Sequence, residues 1–249
     1  MKNPLAPITE QIADGVWRHA GDLRQGMNVY LIAEEDGSGV FAFDAGTKAM
    51  AKGIARAAAE RGGLTRVILG HSHVDHRGSA PKLGVPVLCH ADEVADARGD
   101  GGKHYQPVGE IPVFYSRWLY RIVFPIWDGG PVKIAGTLAE GERVGGFEVV
   151  HLPGHAPGQI GLWRESDRLC LCSDTVYLTD STRPLGHHPG VYVPNPVFDH
   201  DPEQTVASVR KLAALEPEIL APGHMEPLRA ERSELRARLE RAADERTGW

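Results

Sequence analysis

The sequence predicts a layered fold of alternating strands and helices. Three observations predict it. Short apolar runs recur between turns rich in Gly, Pro and Asp. A strand–helix–strand rhythm runs from residue 27 to residue 90. After an irregular stretch at 100–135, β patterns return and the chain closes on helical segments.

The elements follow in order. "MNVYLIA" (27–33) and "GVFAFDAG" (39–46) read as a hairpin-like pair around "EEDGSG". "TKAMAKGIARAAAERGG" reads as an Ala-rich helix closed by Gly62 and Gly63. "TRVILG" is a buried strand, "SAPKLG" starts as a short helix, and "VPVLCH" is a further strand. Residues 100–135 break the rhythm with Gly, Pro and aromatics. Tyr115, Trp118, Leu119, Ile122 and Val123 can share one helical face there. That segment reads as an insertion, either a lid or a dimer contact. "GFEVVHLPG", "QIGLWRES" and "RLCLCSD" read as consecutive strands. "DPEQTVASVRKLAALEP" is a helix with Asp201 at its N-cap and Pro202 at N1. "EILAPGH" is a buried strand, and "AERSELRARLERAADER" is an amphipathic helix whose charge run is a solvated face. No internal repeat or linker divides the chain, so residues 1–249 read as a single domain.

The bulk numbers narrow the function. Charged content of 24% and hydrophobic content of 42% are those of a soluble globular protein. A net charge of −6 disfavours nucleic acid as a partner. No apolar run approaches the ~20 residues of a membrane span, and "MKNPLAPITE" lacks the apolar core of a secretory signal. The expected location is the cytoplasm. Cys89, Cys170 and Cys172 fit a reducing compartment and read as buried thiols; Cys170 and Cys172 share a strand face.

The chemistry concentrates in "GHSHVDHRG" (70–78), on the loop leaving a strand. On an extended loop His71 and His73 point the same way. Both can bind one cation, while Asp75 and His76 begin the next element and face a second point. A catalytic zinc takes three or four N/O ligands and keeps an open position, so further ligands must come from downstream. His155 stands in a turn after a strand, Asp174 at a strand end, and His224 after another strand end. Two carboxylate oxygens can bridge two cations, a role that suits Asp174. His19, His90, His104, His151 and His200 read as ordinary core or surface residues, and His187 and His188 can border a pocket.

His71-x-His73-x-Asp75-His76, followed by His155, Asp174 and His224, resembles the metallo-β-lactamase superfamily, as does "FDAG" (43–46). The resemblance covers nearly the whole chain. It implies an α+β, four-layer αβ/βα sandwich with two mixed β-sheets flanked by helices. It implies that His71, His73 and His155 hold one metal, that Asp75, His76 and His224 hold another, and that Asp174 bridges them. The cofactors would be two divalent ions, zinc first, with iron or manganese also fitting His/Asp donors. Asp44 is an expected acceptor for a ligand histidine's second N–H.

The implied reaction is hydrolysis, with a metal-bridging hydroxide attacking an electrophilic centre. Lactonases, thioesterases, β-lactamases, phosphodiesterases and nucleases of the family share that site, so the substrate is less constrained than the chemistry. The acidic charge weighs against a nuclease, and the absent signal against a secreted antibiotic hydrolase. An ester, thioester or lactone of a small molecule remains. Tyr177 in "SDTVYL" is similar in position to a carbonyl-assisting tyrosine of family lactonases, although it also reads as a packed residue; Asp75 or a metal-bound water is the candidate proton donor. No counterpart of the glutathione-binding segment of the glyoxalase-type thioesterases stands out. Two other classes stay open: a mononuclear iron oxidoreductase resembling persulfide dioxygenases, and a non-catalytic metal-binding module.

Overall fold

The computed structural model describes residues 7–22, 26–180 and 189–245. Strands β1 (Ile8–Ala13), β2 (Val16–Gly21), β3 (Met27–Ala33) and β4 (Val40–Phe43) pair antiparallel in sequence order. Helix α1 (Ala51–Ala59) crosses to β5 (Leu64–Ile68). The short helices α2 (Val74–Arg77) and α3 (Ala80–Leu83) lead to β6 (Val87–His90). After α4 (Val94–Arg98) and α5 (Phe114–Trp127) comes β7 (Ile134–Leu138). β5, β6 and β7 add in parallel to β4, completing a seven-stranded mixed sheet.

The second sheet has six strands. β8 (Arg143–Val144), β9 (Phe147–His151), β10 (Ile160–Arg164) and β11 (Leu169–Ser173) form an antiparallel meander. A small ribbon pairs β12 (Tyr177–Thr179) with β13 (Pro189–Tyr192). Helix α6 (Pro202–Ala214) returns the chain so that β14 (Ile219–Pro222) lies parallel to β11. β15 (Leu228–Arg229) and α7 (Arg232–Glu245) follow.

Period-two alternation stacks the layers. In β3, Met27, Val29 and Leu31 face a core shared with Ile54, Ala57 and Ala58 of α1. Tyr30 and Ile32 face the opposite way, into a core shared with Phe147, Val149, Leu162 and Leu171 of the second sheet. β11 repeats the pattern: Leu169 and Leu171 enter the inter-sheet core, while Cys170 and Cys172 meet Val209, Leu212, Leu235 and Leu239 of α6 and α7. The order is therefore helix, sheet, sheet, helix: the expected four-layer sandwich. Each fully buried Leu or Phe adds roughly 1.5–3 kcal/mol. Burial pushes the Cys170 thiol up to about 12, as expected of a packed thiol.

Asp201 caps α6, its carboxylate accepting from Glu203 N and Gln204 N at 3.0 and 3.1 Å. The charge run of α7 is solvated only on its outer face; Leu235, Leu239, Ala242 and Ala243 pack inward. In α5 the expected apolar face divides. Val123 is buried, whereas Tyr115, Trp118 and Ile122 stay exposed. No helix among the described residues is long and apolar enough to cross a membrane.

β1 escaped sequence reading as a largely exposed edge strand, and β2 because polar residues fill core positions. Arg18 is buried and pairs with Glu10 at 3.1 Å. His19 is buried beside Gly53 of α1, with Thr9 Oγ1 at 2.8 Å. Burial, with the Arg61 charge, lowers the His19 pKa to about 4. The unfolded chain then binds a proton near pH 6.5 that the folded chain refuses, so stability falls as pH drops from about 6.5 toward 4. At pH 5 this loss is on the order of 1–2 kcal/mol. Urea midpoints of the parent and His19→Gln at pH 7.5 and pH 5 measure it: the parent should lose its advantage in acid. A gap between the two proteins that does not change with pH would show that His19 titrates normally.

Candidate metal centre

The C-terminal ends of β4, β5, β9, β11 and β14 gather at one edge of the sandwich. They deliver Asp44, the 69–73 loop, the 152–158 loop, Asp174 and His224 in turn. His73 is the extended N-cap of α2, so Asp75 and His76 sit in that helix's first turn, facing a different point from His71 and His73. Two non-glycine residues are left-handed here, Asp44 (φ 64°) and Ser173 (φ 46°), at roughly 1–2 kcal/mol each. Hydrogen bonds hold them. Asp44 accepts from Gly70 N at 2.7 Å, Ser173 Oγ at 2.8 Å and His76 Nδ1 at 2.9 Å.

All seven expected ligand residues converge. His71, His73 and His155 form one trio with donor atoms within 4.8 Å of one another, and Asp75, His76 and His224 form a second. Asp174 lies between the trios. Its Oδ1 is 3.3 Å from His76 Nε2, and its Oδ2 is 3.2 Å from His224 Nε2 and 3.7 Å from His155 Nε2. Gly223 makes room, since a Cβ there would lie 2.3 Å from Asp174 Oδ1.

The donor set fits cations. Among the described residues, buried His71 Nε2 and His155 Nε2 have no hydrogen-bond partner, and His76 Nε2 faces Asp174 Oδ1 at 3.3 Å. Buried imidazole nitrogens left unpaired beside a buried carboxylate are costly unless a positive charge sits among them. The far side of each ring is held. His71 Nδ1 meets Ser173 Oγ at 3.1 Å, His155 Nδ1 meets Asp199 Oδ1 at 3.0 Å, and His224 Nδ1 meets the Gly26 carbonyl at 3.2 Å. His73 is reversed: its Nε2 faces the Tyr105 hydroxyl at 2.9 Å, and Tyr105 hydrogen-bonds Asp96 in turn. With Tyr105 donating to that carboxylate, Nε2–H donates to Tyr105 and Nδ1 keeps the lone pair.

Electrostatics divide the trios. Burial, followed by neighbouring imidazole charge, holds His71 and His73 well below the usual histidine range. Burial is the largest influence on His76 and His224 and opposes their charge, but the surrounding carboxylates together outweigh it, Asp174, Asp44 and Asp75 at His76 and Asp174 and Asp75 at His224, and their pKa values rise. Asp174 is held far below the usual carboxylate range: burial alone would raise it, but His224 and His76 prevail.

Sequence reading found Asp44, which meets His76 Nδ1, but missed the other supporting residues. Buried Glu93 accepts Ser72 N on Oε2 at 2.7 Å and Gly158 N on Oε1 at 2.8 Å, clamping together the loops that carry His71, His73 and His155. Buried Arg77 donates to the carbonyls of Asp96, Ala97 and Gly99 and to Asp128, tying α2 to the following segment. Asp199 and Tyr105 carry no local signature either. Buried Tyr177 lies against both trios, its ring centroid 6.1 Å from His155 and 5.7 Å from His224. His90 and His151 stack 13° from parallel at 4.1 Å, so their in-plane lone pairs do not converge. His104 faces Asp100 at 3.1 Å, and His200 packs edgewise on Tyr105. His187 and His188 lie outside the described residues.

A family model described as the metallo-beta-lactamase superfamily matches residues 24–224. The probable metallo-hydrolase YflN of Bacillus subtilis (strain 168) is 28% identical over 251 residues, covering 92% of this chain and 93% of YflN. The metallo-beta-lactamase family protein TTHA1429 of Thermus thermophilus superposes with a TM-score of 0.60 at 22% identity, covering 94% of this chain and 79% of that one. TTHA1623, solved in a di-iron-bound form, gives a TM-score of 0.58 at 21% identity, covering 90% of this chain and 94% of that one.

Two substitutions test the assembly. Asp174→Asn keeps shape but removes the shared charge. After reconstitution it should lose one metal equivalent and, on the order of a hundredfold or more, hydrolytic activity. Exposed Lys52→Ala on α1 is the control. Full metal content with activity within a few-fold of the parent would remove Asp174 from the bridging role. Glu93→Gln presents an amide NH2 to one of the two loop N–H groups. Competition with a chromophoric chelator should show one ion bound roughly 10–100-fold more weakly and the other unchanged; unaltered affinity for both would mean that the clamp does not position the first trio.

Proposed function

Because the chain belongs to the metallo-beta-lactamase superfamily, we propose that it is a metal-dependent hydrolase acting on the ester, thioester or lactone carbonyl of a small molecule. The observation that carries this reading is the pair of trios sharing Asp174, with inward nitrogens on His71 and His155 that no group among the described residues satisfies. Its ligands are His71, His73 and His155 for one ion and Asp75, His76 and His224 for the other. Divalent cations supply a lowered pKa for water and polarisation of a carbonyl oxygen. Zinc is the first choice; iron and manganese suit the same donors.

The chain's own residues divide the remaining work. Asp44, Ser173 and Asp199 fix ring orientation, so little reorganisation accompanies the reaction. Tyr177 keeps its proton, because burial and then the Asp174 and Asp75 charges push its pKa well up. Its proposed role is to donate a hydrogen bond to a carbonyl oxygen as charge builds there. Asp75 is half-buried, with Oδ2 3.5 Å from His224 Nε2. From the rim it can pass a proton to the leaving group. The second trio, with Asp75 of its own and Asp174 shared, favours the binuclear reading over a single-iron oxygenase. A net charge of −6 favours small molecules over nucleic acid. Three buried free cysteines suit the cytoplasm.

The direct test is elemental analysis of protein purified without chelator and then reconstituted, followed by a panel of small esters, thioesters and lactones. Near two equivalents and turnover on at least one class are expected. A ceiling of one equivalent with oxygen uptake on persulfides would replace hydrolysis with oxidation. On the best panel substrate, Tyr177→Phe should lower kcat by about a hundred- to a thousandfold, the ~2.7–4 kcal/mol of one oxyanion donor, with metal content intact. An unchanged kcat would assign Tyr177 to packing.

A further inference from the structure

Five large apolar side chains of α5 stand in solvent. Phe114 is 71% exposed, Tyr115 41%, Trp118 57%, Ile122 58% and Ile126 62%. Phe114, Trp118, Ile122 and Ile126 follow at four-residue steps and so form one row along the helix. The opposite side anchors the helix. Ser116 and Val123 are buried, and the Tyr120 ring meets Phe198 at 5.1 Å. The helix end rests on the turn after α2, where a Cβ on Gly78 would lie 2.3 Å from the Trp127 carbonyl oxygen. The row is therefore presented from a seated helix.

No charge stands in the row. α5 has no acidic residue, and both of its arginines turn back onto the 108–111 turn. Arg117 Nε donates to the Ile111 carbonyl at 2.6 Å. The Arg121 guanidinium lies over Gly109, 3.2 Å from where a Cβ would be. The five side chains expose roughly 500–600 Å² together, at the upper end for one patch on a monomer. Burying that area on two copies gives about 1,000–1,200 Å², where specific interfaces begin.

We propose that a second copy of this chain packs on α5 through this row, with the two helices antiparallel about a two-fold axis. The row is graded in shape: aromatic in its first half (Phe114, Trp118), isoleucine in its second (Ile122, Ile126). Its midpoint falls at position 120. Antiparallel pairing sets Trp118 of each copy against Ile122 of the other, and Phe114 against Ile126. Each large ring then meets a smaller side chain, as close packing requires. A parallel pair would place Trp118 on Trp118. The two-fold arrangement also closes, leaving no row open to further copies.

Sedimentation velocity on the metal-loaded full chain, across micromolar concentrations, tests this. The parent should form a dimer. Trp118→Glu and Ile122→Lys should each sediment as monomers with unchanged melting temperature, since both positions are exposed. Mixed in equal amounts, the two variants should restore a dimer, because antiparallel register sets Glu against Lys at one contact and leaves Trp against Ile at the other. A parent that stays monomeric overturns the proposal, as do variants that remain dimeric. A mixture that stays monomeric overturns the antiparallel register. A monomeric parent that pellets with phosphatidylcholine vesicles would assign the row to lipid instead.

Discussion

Asp174 imposes the constraint on which the rest of the structure depends. It is a carboxylate only 2% exposed, and the partners it is seen to pair with are imidazoles, not a lysine or arginine. An ion buried without compensation costs several kcal/mol. That carboxylate, with its acidic neighbours, draws His76 and His224 above the usual histidine range. Cations between the trios would balance its charge instead. The left-handed turn at Ser173, the missing Cβ at Gly223 and the Asp44 hydrogen bonds all serve to hold that carboxylate and its imidazoles at contact distance.

How far the site can be read from sequence depends on how locally it is encoded. His71 to His76 lie within one strand exit, so spacing alone shows two ligands facing one point and two facing another. His155, Asp174 and His224 can be read because each ends an apolar run, and strand ends gather at one sheet edge. Their supporting partners could not be read. Asp199 reaches His155 across 44 residues, and Glu93 reaches Gly158 across 65. Such pairs are set by sheet register, which no local pattern reveals. The fold divides the same way. β3, β4 and β11 announce themselves as short apolar runs between turns, whereas β2 hides behind buried Arg18 and His19.

The segment between β6 and β7 departs from the strand–helix rhythm, yet it is wired to the first trio. Tyr105 meets His73 Nε2, and the Gln106 amide nitrogen lies 3.1 Å from both nitrogens of that ring. Lys103 and Arg77 share the Asp128 carboxylate at 2.6 and 3.2 Å. Arg77 is the residue directly after His76. The stretch that reads as an insertion thus fixes one ligand's tautomer and braces the helix carrying two others.

Each trio straddles the sandwich. His71 and His73 come from the seven-stranded sheet and His155 from the six-stranded one; Asp75 and His76 come from the first and His224 from the second. Neither half of the chain owns a complete set of donors. A cation in either trio would crosslink two halves that otherwise meet mainly through an apolar seam, and would find its full donor set only once that seam has closed. Binding would then stabilise the docking of the sheets by an amount that grows with free metal as RT ln(1 + [L]/Kd). Starving such a protein of metal would loosen the seam itself, so ions held for chemistry would also act as rivets.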